Sequence, residues 1–291
     1  MRRLLAAGVL VVTLAASAFA QGNGHGNGQG NGKGNSTPPS RNDLAPVATV
    51  APPTTSATPL AWIDDATLLD PGVVALAIGV MRWQGTDISE VDAPVVDAAI
   101  GLAPRLQLSA SVPRIVGDQD PAGAAGGVGT SFVTAKIQAA TNRAKTVKLA
   151  IAPTLQLLGE GVVATLGPNE SRVRFGLPVS VEVDHDAIRL YGGGGYFSPG
   201  LWFTGAAIGF RATPKTFVNL GLSRAWRVAD GLDVALSDRD RNELSGGFAY
   251  AVAPHVSIYG SVATTIATLD ANGAGRTVGA GISIWTATSP R

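Results

Sequence analysis

The sequence predicts an all-β protein: a closed, antiparallel, up-and-down transmembrane β-barrel of about 12 strands. Three observations predict it. From about residue 70 onward, apolar residues alternate with small or polar residues, which is the pattern of strands with two different faces. Short turns and long polar loops alternate between those strands. Finally, no long apolar run follows the first twenty residues, which excludes membrane-spanning helices, since each needs about 20 consecutive apolar residues.

The amino-terminal residues have the composition of a secretory signal. Two arginines precede an apolar core over 4–14, and residues 18–20 read Ala-Phe-Ala, a small-x-small cleavage motif. We therefore assign residues 1–20 to a signal peptide cleaved after Ala20. An uncleaved anchor is the alternative, but the run is short and no basic residues follow it. The chain has no Cys, which excludes a lipoprotein anchor, disulfides, thiol catalysis and Cys-based zinc sites.

Residues 21–60 are predicted to be a disordered tail. A Gly/Asn repeat over 21–35 cannot bury apolar surface, and a Pro/Thr/Ser-rich linker follows over 37–59. His25 stands alone in the repeat, so it predicts no metal site. The remaining residues, 61–291, are assigned to a single barrel domain.

The barrel domain contains about twelve alternating segments, most of them close to the 9–11 residues that a tilted membrane strand requires. Strands of soluble proteins are usually shorter, near 5–6 residues. In 172–183, for example, an apolar residue occupies nearly every second position. The predicted strands are 72–83, 93–102, 105–115, 128–140, 146–158, 172–183, 187–197, 200–211, 216–226, 242–251, 256–267 and 275–286.

The connections predict two different rims. Short turns follow the even strands, and three contain proline before a basic residue or histidine: Ala103-Pro104-Arg105, Thr213-Pro214-Lys215 and Ala253-Pro254-His255. Longer polar connections follow most odd strands, at 84–92, 116–127, 159–171, 227–241 and 268–274. Outer-membrane barrels place short turns in the periplasm and long loops outside. An even strand count then places both termini in the periplasm.

Aromatic residues cluster near the two predicted rims, as the interfacial girdles of a membrane barrel do. Phe175 and Tyr191 fall in mid-strand instead. The residues near the long-loop rim are Trp83, Tyr196, Phe197, Trp202 and Trp226, and those near the short-turn rim are Phe210, Phe217, Tyr250 and Trp285.

Two hairpin segments resemble a known family. The stretch from Pro94 to Pro113 and the stretch from Gly127 to Ile137 are similar to the phenol-degradation-pathway family of outer-membrane transporters. The resemblance covers the chain from about residue 70 onward. It implies an outer-membrane barrel that passes small, often hydrophobic or aromatic, molecules, and it supplies no catalytic residues. Such barrels commonly end on an aromatic, whereas here six residues follow Trp285.

Charged residues on the polar side of the strands are the candidate lumen-lining residues. Six of the eight are Lys or Arg, and a basic lumen wall of this kind would favour anions by focusing the electric field. The alternative is that these residues form ion pairs within the lumen. Small residues on the same side, such as Gly79, Gly209 and Gly281, favour an open, narrow channel. The candidates are Lys136, Lys148, Arg172, Arg174, Arg189, Arg211, Asp97 and Glu182.

Three other features are interpreted structurally, and no cofactor or metal is predicted. His185 and His255 lie in predicted periplasmic turns, the wrong rim for a His-based membrane hydrolase. Gly192 to Gly195 lacks the Lys and the helix of a phosphate loop, so close approach of strands explains it better. Four aspartates at 230, 233, 238 and 240 could bind Ca²⁺ or polysaccharide, but a solvated loop is favoured because their spacing matches no EF-hand.

The predicted function is passive passage of small solutes through the barrel, with no enzymatic activity. The alternative is a structural or surface-interaction barrel without a conducting pore. The expected partners are outer-membrane lipid, small solutes and the barrel-assembly machinery. A net charge of +1 gives no reason to expect nucleic acid. The expected location is the bacterial outer membrane.

Overall fold

The computed structural model describes residues 64–85, 89–118, 126–159, 171–198, 200–227, 241–268 and 275–286. The predicted signal peptide, the predicted tail and the four-aspartate loop lie outside the described residues. No helix long and apolar enough to cross a membrane occurs in the described ranges.

The described chain contains fourteen strand segments that make twelve crossings. In two places a short segment and the one after it form a single crossing: Gly127–Val128 with Ser131–Thr141, and Val147–Ile151 with Thr154–Leu157. At the second break stand Ala152 and Pro153, where the proline cannot donate to the ladder. The segments are β1 (Val74–Gly85), β2 (Ser89–Ala103), β3 (Leu106–Asp118), β4 (Gly127–Val128), β5 (Ser131–Thr141), β6 (Val147–Ile151), β7 (Thr154–Leu157), β8 (Val173–His185), β9 (Ile188–Phe197), β10 (Leu201–Thr213), β11 (Thr216–Arg227), β12 (Arg241–Ala253), β13 (Val256–Thr268) and β14 (Gly275–Trp285).

The sheet closes on itself through its first and last strands. β1 pairs antiparallel with β14 over the whole length from Ala75↔Trp285 to Gly85↔Gly275. Every other crossing pairs antiparallel with its sequence neighbours, including β3 with β5 and β8 with both β6 and β7. A closed sheet has no edge strand to leave unpaired. The prediction of a closed antiparallel barrel of about 12 strands is therefore confirmed.

Each strand carries an apolar outer face and a polar or small enclosed face. On β8, Val173, Phe175 and Leu177 are 43–53% exposed, while the alternating Arg174 and Ser180 are buried. The same exposure of large apolar side chains recurs on all the long strands. An apolar surface of this extent is not found on water-soluble monomers, and it matches the lipid-facing band of a membrane barrel.

The aromatic side chains divide between the two faces, and some of them fill the lumen. The ring of Tyr259 lies over Gly79 and Gly281, that of Phe217 over Gly209, and that of Phe197 over Gly176. Each ring occupies the space that a Cβ atom on the glycine would need. The interpretation of inward-facing glycines as open space was therefore wrong at Gly79, Gly209 and Gly281. These glycines make room for large rings from neighbouring strands. Phe197 and Phe217 point inward, so they do not belong to a lipid-facing girdle.

Several strand ends differ from the sequence prediction, among them the start of β2 and the end of β8. β2 begins at Ser89, so residues 89–92 are paired with β1 and do not belong to the predicted loop 84–92. The sequence of this stretch suggested a loop because it is rich in polar residues, and the structure shows that its acidic residues lie on the enclosed face of a strand. At the other rim, β8 continues through His185, and Asp186 makes the turn with φ 52°, a conformation that aspartate tolerates better than most residues.

The four consecutive glycines lie in β9 and allow its neighbours to approach closely. The pairing of β9 with β8 and with β10 continues through them without a shift in register. A Cβ on Gly192 would stand 2.7 Å from the carbonyl oxygen of Gly205, and one on Gly195 would stand 2.7 Å from that of Leu177. The close-approach interpretation therefore agrees with the structure.

Arginine on the outer face should destabilise the barrel according to its depth. Leu222 lies at the middle of β11 and Val218 near its short-turn end, and both are exposed. We expect Leu222→Arg to lower the free energy of unfolding by about 2–4 kcal/mol, and Val218→Arg by about 0–1 kcal/mol. Reversible urea unfolding in phospholipid vesicles measures both. Equal losses would mean that this face does not contact hydrocarbon.

Candidate functional site

A segment before the first strand lies across the inside of the barrel. We call residues 64–73 the lumenal segment. At one end, the Gly72 amide donates to the Gly101 carbonyl of β2 at 2.8 Å. In the middle, the Leu69 amide donates to Gln107 of β3 at 2.8 Å. At the other end, the completely buried Ala66 donates its amide to Glu182 of β8 at 2.9 Å. The segment therefore runs from one side of the lumen to another.

Two consecutive aspartates anchor the far end of this segment to basic residues of the wall. Lys136 Nζ lies 2.7 Å from Asp64 Oδ2 and 3.3 Å from Asp65 Oδ1. Arg189 donates to Asp65 Oδ2 at 2.9 Å. The Asp65 carbonyl accepts a hydrogen bond from Ser180 at 3.0 Å. Since Asp65, Lys136 and Arg189 are all largely buried, these pairs are poorly screened by water.

Lys148 extends the same network along the wall. Its ammonium donates to Glu182 Oε1 and Asp184 Oδ2, each at 2.9 Å, and to Thr67 Oγ1 at 2.7 Å. Thr67 in turn donates to Glu182 at 2.8 Å. The Glu182 side chain is completely buried and therefore depends on these partners. The ionic cluster, as we name it, comprises Asp64, Asp65, Lys136, Lys148, Glu182, Asp184 and Arg189.

The charges of the ionic cluster cancel almost completely. It contains three cationic side chains and four carboxylates, so its formal charge is −1. Arg189 illustrates the balance, because its Nε lies 3.0 Å from Asp184 and 3.4 Å from Glu182 while its terminal nitrogen holds Asp65. Of the two hypotheses for the basic residues, the structure agrees with lumenal ion pairs for Lys136, Lys148 and Arg189.

The other four candidate residues lie at different places on the barrel. Arg174 is buried on the enclosed face of β8, toward its long-loop end. Asp97 is buried on β2. Arg172, before β8, and Arg211, near the end of β10, are both exposed. The candidate set therefore divides into four residues of the ionic cluster, two further buried residues and two exposed ones.

Sequence reasoning missed several residues of the enclosed face. Asp64 and Asp65 precede the first strand, where no alternating pattern assigns a face to them. Asp92 was placed in a loop, although its spacing from Glu90 on one strand face was a usable signal. Tyr259 was not singled out, although it stands at an inward position of β13.

The enclosed face also has an apolar patch near the long-loop rim. Phe197, Leu201, Phe203 and Ala225 are buried together. The rings of Phe197 and Phe203 are 5.9 Å apart at an interplanar angle of 37°. The lumen is therefore apolar at one place near its outer end and charged around the lumenal segment near its inner end.

The histidines stand at the short-turn rim, as their sequence positions predicted. His185 has its side chain 86% exposed, with Asp186 at 3.7 Å. His255 lies in the turn before β13 and contacts Trp285 edge to face, with the centroids 6.2 Å apart. No group of three or more potential metal ligands occurs among the described residues.

Comparison with known proteins identifies the fold. No protein-family model matches the chain, and no curated protein matches it. The crystal structure of the COG4313 outer membrane channel from Pseudomonas putida F1 superposes with a TM-score of 0.55 at 14% identity, covering 76% of this chain and 98% of that one. The KdgM porin superposes with a TM-score of 0.51 at 9% identity, covering 72% and 98%. The chain therefore has the fold of outer-membrane barrels.

Removing one cation of the ionic cluster should loosen the lumenal segment without opening the barrel. Arg189→Met removes three ionic contacts that involve Asp65, Glu182 and Asp184. Because hydrogen bonds to charged groups contribute about 1.5–3 kcal/mol, we expect the Ala66 amide to exchange its hydrogen about ten- to a hundred-fold faster. Hydrogen-exchange mass spectrometry of the folded protein measures this rate.

Arg211→Met is the matched control, since Arg211 is exposed and makes no ion pair that the described residues reveal. It should leave the exchange of Ala66 unchanged. Equal exchange rates in the wild type and Arg189→Met would show that the ionic cluster does not hold the segment.

Proposed function

We propose that the chain forms a channel for passive passage of small solutes across the bacterial outer membrane, with the lumenal segment setting the size limit. The observation that carries this proposal is an enclosed face that stays polar along its length. Lys148 and Glu182 lie near the short-turn rim, Gln156 and Arg174 lie further out, and Glu90 lies near the long loops. A polar interior is what the water-filled barrels of porins have.

The named structural neighbours agree with a channel. One is described as an outer membrane channel and the other as a porin. Their identities to this chain are too low to transfer a solute. The resemblance to the phenol-degradation-pathway family adds the expectation of a small hydrophobic or aromatic molecule. The apolar patch around Phe197 and Phe203 could contact such a molecule near the outer opening.

A structural barrel without a pore is the second candidate, and one observation favours it. The lumenal segment spans the lumen and is held by hydrogen bonds at both ends and ion pairs at one. If those contacts never release, the lumen stays closed. The two candidates therefore differ in whether ions cross the folded protein.

Enzymatic activity is not part of the proposal. His185 and His255 stand at the short-turn rim, and the only ionisable partner found for His185 in the described chain is Asp186. A hydrolase of the outer leaflet needs its histidine at the opposite rim, beside a nucleophile.

We further propose that the signal peptide directs export of the chain, that it is cleaved after Ala20, and that the barrel-assembly machinery inserts the barrel into the outer membrane.

Planar-bilayer recordings test the channel directly. We expect purified, folded protein to produce small single-channel steps. The double variant Lys136→Met/Arg189→Met removes the two cations that bind Asp64 and Asp65, so its steps should be larger. Arg211→Met should conduct as the wild type does.

A flat current trace from both the wild type and the double variant would contradict the channel and support the structural candidate. Conductance steps of the same size in both proteins would support a channel but contradict the proposal that the lumenal segment sets its size limit.

A further inference from the structure

One wall of the lumen carries carboxylates that are not neutralised as those of the ionic cluster are. Asp97 of β2 stands opposite Ala77 of β1 and Ser111 of β3. Asp92 stands opposite Met81 and Ile115. Glu90 follows two residues further out on the same strand. We name Asp92, Asp97 and the nearby Tyr259 the acidic wall.

Four polar atoms of Asp92, Asp97 and Tyr259 are buried with no hydrogen-bond donor found among the described residues. Asp92 is 1% exposed, and the polar neighbour found for it in the described part of the chain is the carboxyl group of Glu90, which is an acceptor when ionised. Asp97 Oδ2 and the Tyr259 hydroxyl belong to residues that are 8% and 6% exposed. Leaving such groups unsatisfied is costly, and most proteins avoid it. A missing hydrogen-bond donor is therefore implied at this wall.

Tyr259 of β13 lies over β14 and β1, the two strands that separate it from the acids of β2. Its hydroxyl lies 2.6 Å from the point where a Cβ of Gly79 would stand, and it also covers Gly281. Asp97 is close enough to interact with it electrostatically. Ser111 hydrogen-bonds the Asp97 carboxyl group, which leaves Oδ2 directed to no protein donor. Two unpartnered polar atoms from different strands thus face one region of the lumen.

The nearly neutral ionic cluster does not offset the charge of the acidic wall. The cations Lys136, Lys148 and Arg189 are each held by at least two carboxylates at 2.7–3.4 Å. They therefore cannot compensate Asp92 and Asp97 as well. A lumen with low-dielectric walls focuses the field of such charges on whatever enters.

We propose that the acidic wall binds protonated amines and makes the channel prefer cations over anions. Each ammonium group of such an amine supplies three donors and no acceptor, which suits the Asp92 carboxylate at one end and Asp97 Oδ2 with the Tyr259 hydroxyl at the other. The proposal rests on the proposed channel, because the ligand reaches the wall through the lumen.

The surroundings of Asp92 favour an organic cation over a metal ion. Met81 and Ile115 flank it across the strands and are 4% and 3% exposed, and Val95 is 1% exposed nearby. Ca²⁺ takes six to eight oxygen ligands, whereas the positions of Asp92 and Asp97 are separated by four residues of β1, about 13 Å at the rise of a strand. A linear amine with more than one nitrogen can contact both acids, with its methylene groups against the apolar side chains.

Reversal potentials in a KCl gradient test the selectivity. We expect the wild-type channel to favour K⁺, and Asp92→Asn/Asp97→Asn to lose most of that preference. Tyr259→Phe keeps the ring over the glycines but removes the hydroxyl, so it serves as the conservative variant with an intermediate loss. Asp186→Asn removes a carboxylate that is 91% exposed in a turn, and it should leave selectivity unchanged.

Binding is measured separately, so that the site and the channel can fail independently. In calorimetric titration of the detergent-folded protein with spermidine, we expect Asp92→Asn/Asp97→Asn to weaken binding about ten-fold or more, because charge-assisted hydrogen bonds are lost. Asp186→Asn is again the control. Wild-type conductance without cation preference, or equal spermidine binding by the wild type and the double variant, would overturn the acidic wall as a cation site. Absent conductance with retained, aspartate-dependent binding would overturn the channel alone.

Discussion

The barrel depends on one constraint: inside a bilayer, every backbone N–H and C=O group must find its partner within the protein. Pairing of β1 with β14 meets that requirement at the only place where the chain could leave an open edge. Closure then forces the alternating residues of each strand onto two surfaces, one toward lipid and one toward an enclosed lumen. The apolar residues face outward because lipid accepts them, so charged residues that would be costly there collect inside.

What fills the interior follows from that separation. Aromatic rings from β9, β11 and β13 lie over inward glycines of their neighbours, which narrows the lumen by packing. The lumenal segment also narrows the lumen, and ion pairs of Asp64 and Asp65 with Lys136 and Arg189 hold it in place. On β2, no hydrogen-bond donor for Asp92 or for Asp97 Oδ2 is found among the described residues. The lumen is thus asymmetric, with a neutralised basic side and an acidic side whose oxygens lack donors, and the proposed selectivity comes from this asymmetry.

The strands could be predicted closely because two-residue periodicity is a local signal. Both ends of β13, for instance, fall within one residue of their predicted positions. The site was harder to predict because its contacts join distant parts of the chain: Asp65 meets Arg189 across 124 residues. Periodicity places Lys136 and Arg189 on the inner face but cannot reveal a neutralising partner in a segment that has no periodicity. Likewise, composition marks Gly281 as small, but only register places the Tyr259 ring over it.

Closure of the sheet is tested most directly by disulfide cross-linking between the first and last strands. The chain has no cysteine of its own, so Ile78→Cys/Ile282→Cys introduces one pair at facing positions of β1 and β14. The matched control, Ile78→Cys/Ile258→Cys, places the second cysteine one strand further, on β13. Two strand spacings, about 9.5 Å, exceed the roughly 7 Å that a disulfide can bridge. The account predicts rapid oxidation to a disulfide in the folded 78/282 variant and none in the 78/258 variant. A folded 78/282 variant that stays reduced, or a cross-link in the control, would contradict it.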